Sequence, residues 1–549
     1  MKRVIAGRTL FVTVGILLLV QMAVAIFFCG KKTGFHYDEY YSYYSSNVTF
    51  GLAPADREWK AGEEIRREFE VRAEERFQFP TVVRMQTYDV HPPFYYLLLH
   101  AACSLAPGVF SKWPGLILNL LFFLMSWCLL AVLAWRLSGK RGVAVIGVCL
   151  LYGFNPAILG GIMLARMYML LGLLVLFVTW LHVKALEERK RGLKFYIPLM
   201  AGVYLGFLTH YYFAVYLFFL AAAMECYLLF EKAEGKSPGQ KWKECFGYGF
   251  AVTGAMALAV VSYPACLGHI FRGYRGTEAV GAFLDGSNTI GRVRFFAGLL
   301  NEYVFGSMLP LFLLVLLLLA LTVWMLSKKE TTEKAGENSF ADRYRTILLP
   351  AVASAGYFAV VTKTALLTAE EANRYQMPVY GLILLLSVVV LERLAQRMCI
   401  YWKADKAAAA LTGAVVLLLA AGELFGLAQG KVLFLYEEDA ENIAFADENK
   451  SVPAIYLYNG NLTWMIWDDS LELMQYDEIY FMNMADLSPV SDEKIATADR
   501  VLVYAMRGED SAEMLRAVQE GMAGNTEATK LRELLYCDLY EVNREEREK

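Results

Sequence analysis

The sequence predicts a polytopic α-helical membrane protein of about eleven transmembrane helices, followed by a C-terminal outer α/β domain. Three observations predict it. Apolar residues make up 57% of the chain and charged residues only 19%, and the charges fall in blocks between long apolar runs, as in multi-span chains. Five blocks of basic residues between the runs fall on one side of a membrane once the runs are threaded through it. After residue 428 the composition turns polar and mixed, with no further run long enough to span.

Taken in order, the runs lie at 9–29, 115–136, 142–158, 166–183, 195–211, 212–230, 246–267, 303–326, 346–367, 378–397 and 407–428. The first follows Lys2, Arg3 and Arg8, as a signal peptide would. It is long enough to span, however, and Cys29-Gly30-Lys31-Lys32 is no small-x-small cleavage site. We read it as an uncleaved span with its N-terminus inside. The positive-inside rule then puts Arg136, Lys140 and Arg141 on the same side. It adds the Lys184–Lys194 block, Lys232–Lys243, Lys328, Lys329, Arg343 and Arg345, and Arg393–Lys406. Residues 94–106 look like a short span, but a crossing there would invert every later basic loop. They are expected to lie in the outer interface instead. The division is a transmembrane domain over 1–430, with an outer loop at 30–114, and an extracytoplasmic soluble domain over 431–549.

Within the loop, residues 56–78 mix Arg and Glu with Trp59, Ile65, Phe69, Val71 and Phe77, an amphipathic surface helix or a solvated connector. In the last domain, strand-like stretches at Ala454–Tyr458, Glu478–Met482, Arg500–Tyr504 and Leu534–Glu541 alternate with helix-like ones at 462–475 and 510–522. Net charge is -3, which argues for no nucleic-acid partner. The nine cysteines show no CxxC and are read as small hydrophobes.

Chemistry-bearing residues concentrate on the outer side. Asp38-Glu39 follows the first span, and adjacent carboxylates can take a proton from a hydroxyl or hold a divalent cation. The plain alternative is a solvated acidic pair at a helix end. Tyr37, Tyr40, Tyr41, Tyr43 and Tyr44 beside it suit a wall around a sugar, or interfacial anchoring. Asp89 and His91 precede Pro92 and Pro93, which fix a rigid corner. Arg166 and Tyr168 open the fourth run, where a guanidinium must be paired, face a polar cavity or snorkel. Arg374-Tyr375 lies in a short outer loop with Glu370 and Glu371 as ready partners. The outer loop 268–302 carries four arginines against the trend, which argues for an anionic ligand. His36, His91, His210 and His269 are all outer. A metal site from His and Asp is open, although no recognised ligand spacing is present.

These pieces, in this order, resemble the polytopic glycosyltransferases of the GT-C class, and within it family 39, the protein O-mannosyltransferases and lipid A aminoarabinose transferases. The matching residues are Asp38-Glu39; Asp89-Val90-His91-Pro92-Pro93-Phe94-Tyr95-Tyr96; Asn155-Pro156 with Ala165-Arg166-Met167-Tyr168; Thr209-His210-Tyr211-Tyr212; and Arg374-Tyr375 with Pro378. The resemblance covers roughly residues 1–400. It implies a GT-C fold, a polyprenyl-phosphate sugar as donor, an extracytoplasmic acceptor and Asp38 as catalytic carboxylate. Two departures stand out: Ala165 replaces the acid that often precedes Arg-x-Tyr, and no acid lies near Arg166 in the sequence. Metal and acceptor are therefore left open.

A lipid phosphate leaves readily, so the protein must neutralise its charge and activate the incoming hydroxyl. The expected roles are Asp38 as base with Glu39 beside it, and Asp89, His91 and His210 assisting the acceptor or a divalent cation. Arg166, Tyr168, Arg374 and Tyr375 would bind the donor phosphate, and direct displacement would invert the anomeric carbon. The expected location is the plasma (cell) membrane, N-terminus cytoplasmic. Two other classes remain: a transporter or lipid flippase, for which Glu225 is the main intramembrane acid, and a non-catalytic assembly factor.

Overall fold

A bilayer offers no water to backbone amides, so long apolar runs must become helices. The computed structural model describes residues 2–47, 54–230, 237–328, 340–401, 404–508 and 511–544. Lys232, Lys236, Lys329 and Lys403 of the basic blocks lie outside the described residues. Among the described residues nine helices are long and apolar enough to cross a membrane. Nine of the eleven expected runs overlap them. The run at 142–158 is instead a pair of helices, Gly142–Gly153 and Pro156–Met163, bent by 50°. Asn155 causes the break: its side chain caps the second helix by accepting from the Ile158 amide, and Pro156 starts that helix. The run at 195–211 is the helix Leu193–Phe207, only about 22 Å long at 1.5 Å per residue against a core of about 30 Å. Eleven full spans therefore become nine long helices, one bent pair and one short helix. The helix Phe94–Cys103 has 10 residues, too short to cross.

Contacts divide the chain into two compact units, and not at residue 430. One comprises Met1–Gly30, Gln86–Tyr95 and Leu116–Leu433 and holds the apolar helices; the other comprises Lys31–Met85, Tyr96–Gly115 and Phe434–Lys549. The reason is a strand. β1 (Glu58–Ala61) joins a sheet otherwise built from C-terminal residues: β2 (Ala454–Tyr458), β3 (Glu478–Asn483), β4 (Arg500–Met506), β5 (Thr526–Glu533) and β6 (Cys537–Arg544). The order is β1-β3-β2-β4-β6-β5. β2 pairs parallel with β3 and β4, while β1, β5 and β6 run antiparallel to their neighbours. Every residue of the central β2 is buried, as a strand covered on both faces requires.

The segment 56–78, read as an amphipathic surface helix or a solvated connector, instead holds β1, a short helix Gly62–Arg67 and a 3-10 turn Ala73–Glu75. Trp59 donates its indole N–H to Asp492 at 2.9 Å. A Cβ on Gly62 would stand 2.4 Å from the Tyr476 carbonyl oxygen, so only glycine lets the chain pass. β5 was invisible to hydrophobic patterning because TEATKLRE is an edge strand with mostly exposed side chains.

Candidate functional site

The expected site residues fall in both units, and each set is described within its own. In the helical unit, the rigid corner before Phe94 presents Asp89 and His91. His91 Nδ1 lies 3.2 Å from Asp89 Oδ2, and His91 Nε2 lies 3.4 Å from an Arg166 guanidinium nitrogen. A guanidinium only donates, so Nε2 accepts and the proton sits on Nδ1, which donates to Asp89. The result is a directed relay, carboxylate to imidazole to guanidinium. Burial would raise the Asp89 pKa, but His91 and Arg166 outweigh it and hold the carboxyl below its usual range. Asp89, from another segment, thus reaches Arg166 through the His91 ring.

The loop carrying Arg166 is pinned by Asn119, whose amide donates to the Ile162 and Leu164 carbonyls at 3.0 and 2.6 Å. Arg166 is 2% exposed, and so is Arg374. Arg374 lies over the Tyr375 ring at 5.1 Å and reaches Glu371 at 3.4 Å and the Tyr375 hydroxyl at 3.4 Å. The Tyr375 ring meets Tyr168 edge-on at 5.8 Å, Tyr168 lies 5.6 Å from the His210 ring, and His210 lies 6.0 Å from His91. One unbroken chain of contacts therefore joins Arg166 to Arg374, although the two come from different helices. Such burial of two cations is tolerated only with partners of this kind.

His210 Nδ1 accepts from the Tyr212 amide at 3.0 Å, so its proton is on Nε2. Burial first, with the neighbouring Arg166 charge adding to it, pushes its pKa well below the ordinary value. His269, unassigned by the sequence, accepts from the Tyr211 hydroxyl at 2.8 Å and donates to the Thr87 carbonyl at 3.3 Å. It tethers the Asp89–His91 corner. Of the outer-loop arginines, Arg275 pairs with Glu278 at 3.1 Å. Arg292 is spent on the Thr362 and Ala365 carbonyls at 3.2 and 2.7 Å.

A divalent cation fits this set poorly. Both nitrogens of His91 are engaged, the acceptor nitrogen of His210 is used, and the Arg166 charge stands beside them. Among the described residues no group of three or more His, Cys, Asp or Glu is arranged to hold a metal.

In the other unit, Asp38 and Glu39 open the helix Tyr37–Asn47, where the positive helix end favours carboxylates. Their fates differ. Glu39 is 0% exposed and accepts from Lys32 at 2.9 Å and from the His36 amide at 2.8 Å. Lys32, equally buried, also donates to the Phe434 carbonyl at 2.8 Å and lies over the Phe35 and Tyr436 rings. Asp38 keeps 21% of its side chain exposed, and its amide donates to His36 Nδ1 at 3.0 Å. Glu39 thus faces inward as half of an ion pair, and Asp38 faces out. Nothing in the sequence marks Lys32 as buried, because a lysine after a span ordinarily flanks the interface.

The acid expected inside the membrane also moves. Glu225 is partly exposed, whereas Glu423 is fully buried, accepting from the Asn155 amide at 2.8 Å while Asn155 also donates to the Val304 carbonyl. Among the described residues, Glu423 Oε2 finds no hydrogen-bond partner. An acid in an apolar run is conspicuous, but only the fold brings it to the Asn155 break.

No protein-family model matches the chain, and no curated protein matches it. Among solved structures it is similar to ArnT from Cupriavidus metallidurans in the apo state, with TM-score 0.46 and 10% identity over 95% of this chain and 97% of that one. It is also similar to the archaeal oligosaccharyltransferase AglB from Archaeoglobus fulgidus in complex with an inhibitory peptide and a dolichol-phosphate. There the TM-score is 0.39 and the identity 11%, over 89% of this chain and 69% of that one. A structure of the Archaeoglobus fulgidus oligosaccharyltransferase tethered to an acceptor peptide gives 0.40 and 10%, over 94% and 69%. With TM-scores below 0.5, the functional reading rests on the side chains.

Proposed function

We propose that the chain is a membrane glycosyltransferase of the GT-C class, moving a sugar from a polyprenyl-phosphate donor to an extracytoplasmic hydroxyl. The observation that carries the reading is the Asp89–His91–Arg166 relay, linked through Tyr168 and Tyr375 to Arg374. It holds two buried guanidiniums in fixed orientations, and a guanidinium fork matches the oxygens of a phosphate. Fixed donors cost little reorganisation when charge develops on the leaving group.

In the reaction, the acceptor oxygen bonds to the anomeric carbon as the carbon–oxygen bond to phosphate breaks. The acceptor proton passes to a carboxylate base, the role the resemblance gives Asp38, and the polyprenyl phosphate leaves as an anion that needs a guanidinium partner, the role proposed for Arg166 and Arg374. Single displacement inverts the anomeric centre. His91 and Asp89 are positioning residues that aim Arg166. Glu39 is a positioning residue that holds the Asp38 turn through Lys32. No step passes through a metal.

The test is turnover of a panel of polyprenyl-phosphate sugars by purified full-length protein, with Asp38→Asn and Arg374→Lys as controls. Loss of transfer in Asp38→Asn supports the reading; transfer unaffected by both variants sinks it.

One observation favours a second reading, a transporter or flippase: the helix pair broken at Asn155 and the buried Glu423 beside it. Yet Glu423 sits near the end of the helix Asp405–Ala428, roughly 8 Å from its last residue at 1.5 Å per residue, and not at mid-membrane. Lipid flux in proteoliposomes that Glu423→Gln abolishes, without any sugar transfer, would establish the second reading.

A further inference from the structure

The Asp38 helix carries two adjacent aromatic stripes. Tyr40 and Tyr43 turn inward and pack with Phe35, Phe69 and Phe110. Tyr37, Tyr41 and Tyr44, four and three residues apart, form the next stripe and stay partly exposed. Asp38 flanks this stripe on the side away from the core.

A segment far along the chain meets the second stripe. The 3-10 turn Thr463–Trp467 seats Trp467 on Tyr41 and Tyr44, with ring centroids 4.3 and 5.1 Å apart. Trp467 is buried and anchors the turn. Trp464 behaves differently. It stands 6.2 Å from Tyr37 and 5.4 Å from Tyr536, and all three rings remain partly exposed. Asp468, also partly exposed, follows the anchor. A sugar ring has a face rich in C–H bonds and a rim of hydroxyls. Aromatic faces suit the first and carboxylates the second.

We propose that Trp464, Tyr37 and Tyr536 form an acceptor subsite for a pyranose ring, with Asp468 binding its hydroxyls and Asp38 receiving the reacting proton. The proposal rests on the glycosyltransferase reading and deepens it: the acceptor is a carbohydrate, not a protein hydroxyl. Trp464 is then a binding residue contributed by the C-terminal segment.

The experiment uses full-length protein in detergent. Saturation-transfer NMR is run with methyl α- and β-glycosides of glucose, galactose, mannose and N-acetylglucosamine, against wild type, Trp464→Ala, Trp464→Phe and Tyr536→Ala. Transfer to ring C–H protons is expected in wild type, retained largely in Trp464→Phe and lost in Trp464→Ala. In turnover with a glycan acceptor, Trp464→Ala should raise the acceptor KM about tenfold, the scale of one lost stacking contact, with kcat and donor KM nearly unchanged. Absence of glycoside contact in wild type, or contact unaffected by Trp464→Ala, overturns the subsite. So does a fall in donor affinity matching the rise in acceptor KM, which would mean a structural role. If Trp464→Ala fails to fold, Trp464→Phe and Tyr536→Ala carry the same comparison. Glycoside contact at Trp464 in a protein that never transfers sugar would leave the subsite standing and overturn the glycosyltransferase reading alone.

Discussion

Glu39→Gln should cost stability and Asp38→Asn should cost chemistry. Glu39 and Lys32 are both wholly buried, with a nitrogen–oxygen distance of 2.9 Å, so solvent screening does not weaken the pair. Removing one partner of such a pair costs about 3–5 kcal/mol because the other charge is stranded. Glutamine keeps an oxygen for the His36 amide, and Lys32 keeps the Phe434 carbonyl and two rings. The lower end, about 3 kcal/mol, is therefore expected. Lys32→Met leaves Glu39 charged and buried without its ammonium partner, and should cost about 4 kcal/mol. The double variant Lys32→Met/Glu39→Gln strands no charge and should cost less than either single change. The assay is thermal unfolding in detergent for the four proteins, with turnover measured alongside. Asp38→Asn should leave the midpoint in place while lowering turnover roughly 10²–10⁴-fold, the range for a lost general base. Additive single and double variants, or a Glu39→Gln protein as stable as wild type, would refute the inward ion pair.

Arg374→Lys keeps the charge but loses the fork over Tyr375, so the donor KM should rise about tenfold with stability little changed. His91→Ala removes the acceptor that aims Arg166 and should weaken donor binding by roughly 10–100-fold, as for a lost hydrogen bond to a charged group. Asp89 has a depressed pKa, so its contribution is present above the unfolded value of about 3.9 and is lost as pH falls through the folded one. Acid unfolding midpoints of wild type and Asp89→Asn should therefore converge at low pH. Glu472 goes the other way: burial pushes it up to about 7, against the pull of Arg532. Because the folded state holds the extra proton, stability should fall as pH rises from about 4.3 to 7, and Glu472→Gln should flatten that slope. For topology, cysteines placed at Ser287 and Ser488 in a cysteine-free background should react from outside and one at Lys190 only from inside. Ser46 suits no such test, being buried.

Much of the helical architecture was legible because a bilayer-length apolar run has few alternatives to a helix. The corner at His91 was legible because Pro92 and Pro93 act locally. Strands β2, β3 and β4 were readable from apolar alternation and turn residues. What escaped depends on partners distant in sequence. Lys32 looks like an interface lysine until Phe434, 402 residues later, offers its carbonyl. β1 reads as part of a helix because only β3 makes Glu58–Ala61 extended. Trp464 carries no local mark of its meeting with Tyr37. The link between Arg166 and Asp89 was missed for the same reason, since an ion relay through an imidazole leaves no spacing to read.

The insertion of β1 into a sheet completed by residues 478–544 also sets a timetable for the ribosome. β1 leaves the exit tunnel before most of the spans exist, yet its partner β3 follows roughly 400 residues later. At about 5–20 residues per second this is a wait on the order of 20–80 s. Through that interval the Asp38 segment has neither a strand neighbour nor the Phe434 carbonyl for Lys32. Nascent chains halted before β3 should thus be attacked by protease within residues 31–85, and chains released after β6 should resist. Activity would then arrive only with the last strands made, so a premature stop there silences the loop synthesised first.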